Sequence, residues 1–234
     1  MKSLIAKALP VSVINTYRRL RIRSWARGLS RRELFSRIYA RGAWGQAGEP
    51  GDFFSGSGSG SEAAAAYIRY VNGYLAKHGI DTIIDIGCGD FRVASRLDLT
   101  SRRYIGSDIV PELVARNEAR FGAHNIRFLS LDAVAEDPPE GDLALLRQVL
   151  QHLNNHDVEA VLRRLKKFPH VIIADELPVH RVVEKNRDVI WGGTRLEAGS
   201  GLFLEAPPFN CRIDVLFEHL LDSERRLRCI RLAD

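Results

Sequence analysis

The residues best suited to chemistry in this chain are glycines and acids set at the ends of apolar runs. Asp85-Ile86-Gly87-Cys88-Gly89 closes the run Thr82 to Ile86. Glycines there let the backbone turn tightly and come close to a ligand. Asp108 ends a second run, Tyr104 to Asp108, 19 positions after Gly89. A carboxylate at the tip of the second strand is where a nucleoside ribose is usually gripped. Asp132 ends a third run, Ile126 to Asp132, and His152 lies six positions after a fourth, Asp142 to Leu146. An imidazole with a pKa near neutrality suits a general base acting on an acceptor. Taken singly, each acid serves equally well as a turn cap, and the histidine equally well as a structural residue.

The elements that must position these residues follow from periodicity. Short apolar runs alternate with polar, helix-period segments, the mark of a parallel sheet covered on both faces. Strands are expected near 82–86, 103–108, 126–131, 142–146 and 170–175. Helices are expected at 62–77, 91–97, 111–121 and 156–167. Pro111 suits a first helical turn, Asn154 or Asn155 suits an N-cap, and Ser59 or Ser61 suits the cap of the helix from Glu62. Strand, glycine turn and a helix starting near Arg92 would together form an anion- and nucleotide-binding corner. Residues 177–210 read as a long functional loop, and Cys211–Leu220 with Arg225–Leu232 as two closing strands.

The ordered set Asp85-Ile86-Gly87-Cys88-Gly89, Asp108, Asp132, Asp142–Leu146 and Val149-Leu150-Gln151-His152-Leu153 resembles class I S-adenosylmethionine-dependent methyltransferases. The likeness spans roughly Ile80 to Asp175. It implies an α/β fold: a Rossmann-like seven-stranded mixed sheet with helices on both faces, preceded here by a basic helical N-terminal arm or cap. It implies S-adenosylmethionine as cofactor. Asp85, Gly87, Cys88 and Gly89 would line the methionine end, Asp108 with Ile109 the ribose, and Asp132 with Ala133 the adenine. Arg147 and Gln148 would border cofactor and substrate. His152 is the candidate catalytic base, and Trp44, Glu176, Arg181, Trp191 and Arg195 are candidates for the acceptor pocket. Phe91 stands where the commonest motif has a third glycine, although Gly-Cys-Gly-Asp-Phe is a familiar variant. The resemblance is to bacterial enzymes, some of them linked to surface polysaccharide synthesis. It points to a hydroxyl on a small molecule or glycan as acceptor.

Composition fits one soluble α/β domain: 234 residues, 45% hydrophobic and 27% charged. Cys88, Cys211 and Cys229 form no close pairs, which argues against a disulfide framework or a metal site and for a reducing, cytoplasmic setting. The net charge of +5 is divided unevenly. Residues 1–43 hold eleven Lys or Arg against one acid, a net +10, while the remainder holds 23 bases and 28 acids, a net −5. Val11, Ile14, Ile22, Trp25 and Leu29 share one helical arc, interrupted by Arg18. Such an arm suits an anionic membrane surface, peripheral at the inner membrane face, or a helix packed on the domain with its arginines outward. Nucleic acid is the weaker partner, because no aromatic-interleaved basic motif accompanies the charge. Residues 1–61 thus read as arm and cap, and residues 62–234 as the catalytic domain. The segment Phe53 to Ser61 is a flexible linker by composition, or a lid over the cofactor with Trp44-Gly45. An NAD-dependent oxidoreductase competes for the glycine corner, opposed by Asp132 and by the missing third glycine. A non-catalytic, cofactor-binding scaffold acting through its basic arm is the other alternative.

Overall fold

Runs rich in isoleucine, valine and leucine build the sheet, because strands buried on both faces leave no room for polar alternation. The computed structural model describes residues 20, 24–25, 27–45, 52–56, 58, 62–180, 182 and 184–233. Strands β1 (Thr82–Ile86), β2 (Arg103–Asp108), β3 (Ile126–Ser130), β4 (Leu143–Arg147) and β5 (His170–Pro178) run parallel. β7 (Arg225–Leu232) pairs antiparallel with β5, and β6 (Ile213–Leu220) antiparallel with β7. The order is β3-β2-β1-β4-β5-β7-β6. The chain therefore reverses its direction of winding between β1 and β4. In such sheets the crevice beyond the carboxyl ends of the strands at that reversal is where ligands bind.

Alternate strand residues feed two cores. Ile84, Ile86, Ala144, Leu146, Val171 and Ile173 pack on one face with helix α1 (Arg31–Ala40) and helix α4 (Asn155–Leu165). Ile83, Leu143, Leu145, Ile172 and Ala174 pack on the other with helix α2 (Glu62–His78). Helix α3 (Pro111–Phe121) sends Leu113 to the first core and Val114 to the second. Burying Val158, Val161, Leu162 and Leu165 of α4 is worth about 1.5–3 kcal/mol for each side chain. The Asn154 side chain accepts the Asp157 N–H and caps α4, and Pro111 opens α3. Residues 59 and 61, the proposed caps of α2, lie outside the described residues.

The expected helix at 91–97 is not there. The segment is a series of turns with one 3-10 turn, Ala94–Arg96. Phe91 has φ 65° and is buried, its ring 5.2, 5.2 and 4.9 Å from Tyr104, Phe121 and Phe128. That anchor holds the backbone in a conformation no α-helix can include. The Asp98 N–H then goes to Asn72 Oδ1 at 2.9 Å, and Leu97 is already extended. The corner therefore presents turn amides rather than a helix end.

The 3-10 turn Leu196–Ala198 is the only helical element within 179–212 among the described residues. Asn186 holds this segment from inside. Its amide donates to the carbonyls of Phe203 and Pro207, both at 2.8 Å, and its Oδ1 accepts Phe203 N–H at 2.7 Å.

On the N-terminal side, Ser30 and Glu33 form a capping box for α1, and Leu34, Phe35 and Ile38 enter the first core. Trp25 and Leu29 pack against it. Val11, Ile14, Arg18 and Ile22 lie outside the described residues. Among the described residues no helix is long and apolar enough to cross a membrane.

Candidate functional site

The glycine turn after β1 is fixed from three sides. The N–H groups of Gly87 and Cys88 both donate to Ser107 O, at 2.7 and 2.9 Å, tying the turn to β2. Asn117 of α3, fully buried, donates to Gly89 O at 2.8 Å. Gly87 has φ 75°, and a side chain on it would run into Val149. Gly89 has φ 58° and would meet Ser55.

Beneath this turn sit two buried carboxylates. Asp108 Oδ2 accepts Gly89 N–H at 3.2 Å and Oδ1 accepts Val110 N–H at 3.1 Å. Asp85 Oδ2 accepts the Tyr104 hydroxyl at 2.7 Å. Burial pushes each up to about 6, against the pull of these hydrogen bonds. Both face a single cleft of about 1400 Å³. That exceeds the roughly 300–1,000 Å³ of an ordinary ligand pocket and leaves room for two molecules.

The cleft is roofed by the segment before α2. Ser55 and Asp90 exchange hydrogen bonds: Ser55 N–H to Asp90 Oδ2 at 3.1 Å, Asp90 N–H to Ser55 Oγ at 2.8 Å. The Tyr39 hydroxyl joins Ser55 Oγ at 2.9 Å. Arg147 donates to Gly58 O at 2.9 Å. Of the Gly/Ser stretch, Ser55 and Gly58 are thus tied to Asp90 and Arg147. At one end of the cleft, Arg31 of α1 donates to Asp132 Oδ2 at 2.9 Å, and Val134 N–H donates to Asp132 Oδ1 at 3.0 Å.

Beyond β4 the backbone turns sharply at Gln148, φ 57°, whose N–H goes to Ala174 O at 2.7 Å. Its amide donates to Glu176 Oε1 at 2.6 Å, and Arg225 donates to Glu176 Oε2 at 2.9 Å. A chain of polar groups, Arg147–Gln148–Glu176–Arg225, thus runs along the cleft wall. His152 sits on the 3-10 turn Leu150–His152, its ring 5.1 Å from Trp44. Its Nδ1 lies 3.2 Å from Gly193 O, so Nδ1 carries the proton, and Nε2 accepts from the Gln151 amide at 3.3 Å, a hydrogen bond it would exchange for one to an acceptor. Burial pulls this imidazole down to about 4, so it is neutral at physiological pH.

The structure gathers Asp85, Gly87, Cys88, Gly89, Asp108, Ile109, Asp132, Ala133, Arg147, Gln148, Trp44, His152 and Glu176 around the cleft. Two acceptor candidates stand elsewhere. Arg195 is 1% exposed and binds Leu150 O and Asn155 Oδ1, where a guanidinium can brace the 179–212 segment but touch no acceptor. Trp191 donates to Asp157 Oδ2 at 2.6 Å and is not part of the cleft wall. Arg181 lies outside the described residues. Sequence reasoning missed Arg31, Tyr39, Ser55 and Asp90. Only Asp90, adjoining Gly-Cys-Gly, carried a local signal.

Residues 83–168 match the family model described as a methyltransferase domain. No curated protein matches the chain in sequence. Among solved structures, magnesium protoporphyrin IX methyltransferase from Synechocystis PCC 6803 with bound SAM is similar at 13% identity and TM-score 0.56, covering 88% of this chain and 99% of that one. The N-terminal domain of EvdMO1, solved in the presence of SAH and D-fucose, is similar at 18% identity and TM-score 0.54, covering 87% and 97%. N-methyltransferase NodS from Bradyrhizobium japonicum WM9 is similar at 14% identity and TM-score 0.52, covering 77% and 100%. At these identities the structural likeness is one of fold, and the family model spans less than half of the chain.

Gly87→Ala should lower the unfolding free energy by about 2 kcal/mol or more in urea titration, since left-handed backbone costs alanine about 1–2 kcal/mol before any clash with Val149. Gly79→Ala, with φ 61° but nothing within 4 Å of the added methyl, should cost only the conformational part.

Proposed function

We propose that this chain is a class I S-adenosylmethionine-dependent methyltransferase that moves the methyl group to a hydroxyl of a small molecule or glycan. The observation that carries this reading is the single cleft. One part of it runs past the glycine turn and its acids. The other continues to Trp44, His152, Glu176, His180, Thr194 and Arg225. A wall of aromatic ring, imidazole, carboxylate and hydroxyl suits a polar, hydroxyl-rich acceptor. The N-terminal domain of EvdMO1, with its SAH and D-fucose, lends the sugar reading further support.

In this reading Asp108 accepts both ribose hydroxyls, as a carboxylate can. Asp85 faces the methionine ammonium beside Gly87, Cys88 and Gly89. Asp132, with Ala133, takes the adenine amino group. S-adenosylmethionine, when bound, supplies an electrophilic methyl on a sulfonium. The chain's own residues hold the acceptor in line, and Ser55, Gly56 and Gly58 line the cleft where they would limit water. Transfer of that methyl to the acceptor oxygen would leave the cofactor as a neutral thioether and release the hydroxyl proton, which His152 Nε2 would receive. With a pKa of about 4 the imidazole is a weak base. The proton becomes strongly acidic as the oxygen is alkylated, so a neutral imidazole suffices late in the step.

The basic N-terminal segment fits a second part of the proposal: peripheral attachment to an anionic membrane, where a lipid-linked glycan would be met.

Incubation with methyl-labelled S-adenosylmethionine should place label on neutral oligosaccharides or polyols and none on RNA. Label on RNA, or on amines alone, would contradict the hydroxyl reading. Affinity for S-adenosylhomocysteine should fall as pH drops through about 6, where Asp85 and Asp108 take up protons, and be flat above pH 7.5. Deleting residues 1–30 should abolish binding to anionic liposomes in co-sedimentation. Unchanged sedimentation would sink the membrane part alone.

A further inference from the structure

Arg31 opens α1, about a hundred positions from the acids it meets. Its Nη2 and Nε donate to Asp132 Oδ2 at 2.9 and 3.2 Å, and Nε lies 3.3 Å from Oδ1. Its Nη1 reaches Asp157 Oδ2 at 3.3 Å. The same Asp157 oxygen accepts the Trp191 indole N–H, and the guanidinium carbon lies 5.4 Å from the Trp191 ring centroid. Arg31 and Asp132 both line the cleft, with side chains 18% and 17% exposed.

A guanidinium used only as a strut would need no place in the cleft wall. Here the carboxylate it grips stands at the tip of β3, inside that wall. A carboxylate has about four acceptor sites. Arg31 and the Val134 N–H engage both oxygens and leave capacity for one further donor. Without Arg31, only the Val134 N–H would restrain the carboxylate torsion, which is otherwise broad and roughly two-fold. Asp157 and the stacked Trp191 hold the guanidinium in turn, so the plane of Asp132 is set by three separate segments.

We infer that Arg31 is a positioning residue for base recognition: it fixes Asp132 so that the cleft selects a purine bearing a 6-amino group over one bearing a 6-oxo group. The inference rests on the proposed placement of the adenine amino group at Asp132. A 6-oxo base offers an acceptor where the carboxylate needs a donor, leaving both unpaired, the situation that gives the sharpest discrimination between analogues.

The test is calorimetric titration of S-adenosylhomocysteine and S-inosylhomocysteine into wild type, Arg31→Lys, Arg31→Ala and Asp132→Ala. Wild type should prefer the adenosyl ligand by about 10- to 100-fold, the span of a hydrogen bond to a charged group. Asp132→Ala should bring the two affinities within about threefold. Both Arg31 variants should cut the preference about tenfold while changing the inosyl affinity little. Lysine offers a point charge and no bidentate fork, so it should not rescue the preference, and it serves as the test if the alanine variant does not fold. If Asp132→Ala keeps the preference, the placement of the base is wrong and the inference falls with it. If Asp132→Ala loses it and the Arg31 variants keep it, the placement stands and the inference fails. Equal weakening of both ligands in the Arg31 variants would make Arg31 a strut and also overturn it.

Discussion

Two carboxylates buried side by side at the ends of neighbouring parallel strands set the terms for this molecule. Asp85 and Asp108 are each less than 10% exposed, and burying an ionised carboxylate is costly unless donors surround it. The fold supplies some: Tyr104 for Asp85, and Gly89 with Val110 for Asp108. Those donors are too few, since both acids titrate near 6 rather than near 4. Their folded pKa values lie above their unfolded ones. Their contribution to the stability of the ligand-free protein is therefore greatest at low pH and is lost as pH rises through about 6. In the proposed function, the cofactor's ammonium and ribose hydroxyls would be the donors these acids lack.

The same constraint explains the glycines and the lid. Gly89 must bring its N–H to Asp108 while its carbonyl meets Asn117, and φ 58° is the backbone that does so. With no side chain there, Ser55 comes close enough to trade hydrogen bonds with Asp90. The N-terminal helix, with the turn that follows it, adds Arg31, Tyr39 and Trp44 to the cleft wall.

What could be read in the sequence divides along the range of the interactions. β1, β2 and α3 match their expected bounds to the residue, because a buried strand is an unbroken apolar run and Pro111 marks a helix start. The acids at the strand tips were legible for the same reason: their place is set by the strand before them. The helix at 91–97 was misread because the local pattern is compatible with it. What prevents it is tertiary, the burial of Phe91 against Tyr104, Phe121 and Phe128. Ser55 and Arg31 were invisible because their partners are 35 and 101 positions away. A glycine-serine stretch has one composition whether it dangles or docks. Arg195 misled in the opposite sense: an arginine in a long loop reads as a binding residue, yet this one is buried as a brace.

The proposed function requires the cleft above Asp85 and Asp108 to hold S-adenosylmethionine. Calorimetric titration with S-adenosylhomocysteine at pH 7.5, on wild type and Asp108→Ala, tests it most directly. Wild type should bind at a roughly micromolar Kd. The variant should lose about a hundredfold or more, because two hydrogen bonds to a charged acceptor disappear together. Wild-type protein that binds no S-adenosylhomocysteine, or an Asp108→Ala variant that binds as tightly as wild type, would contradict it.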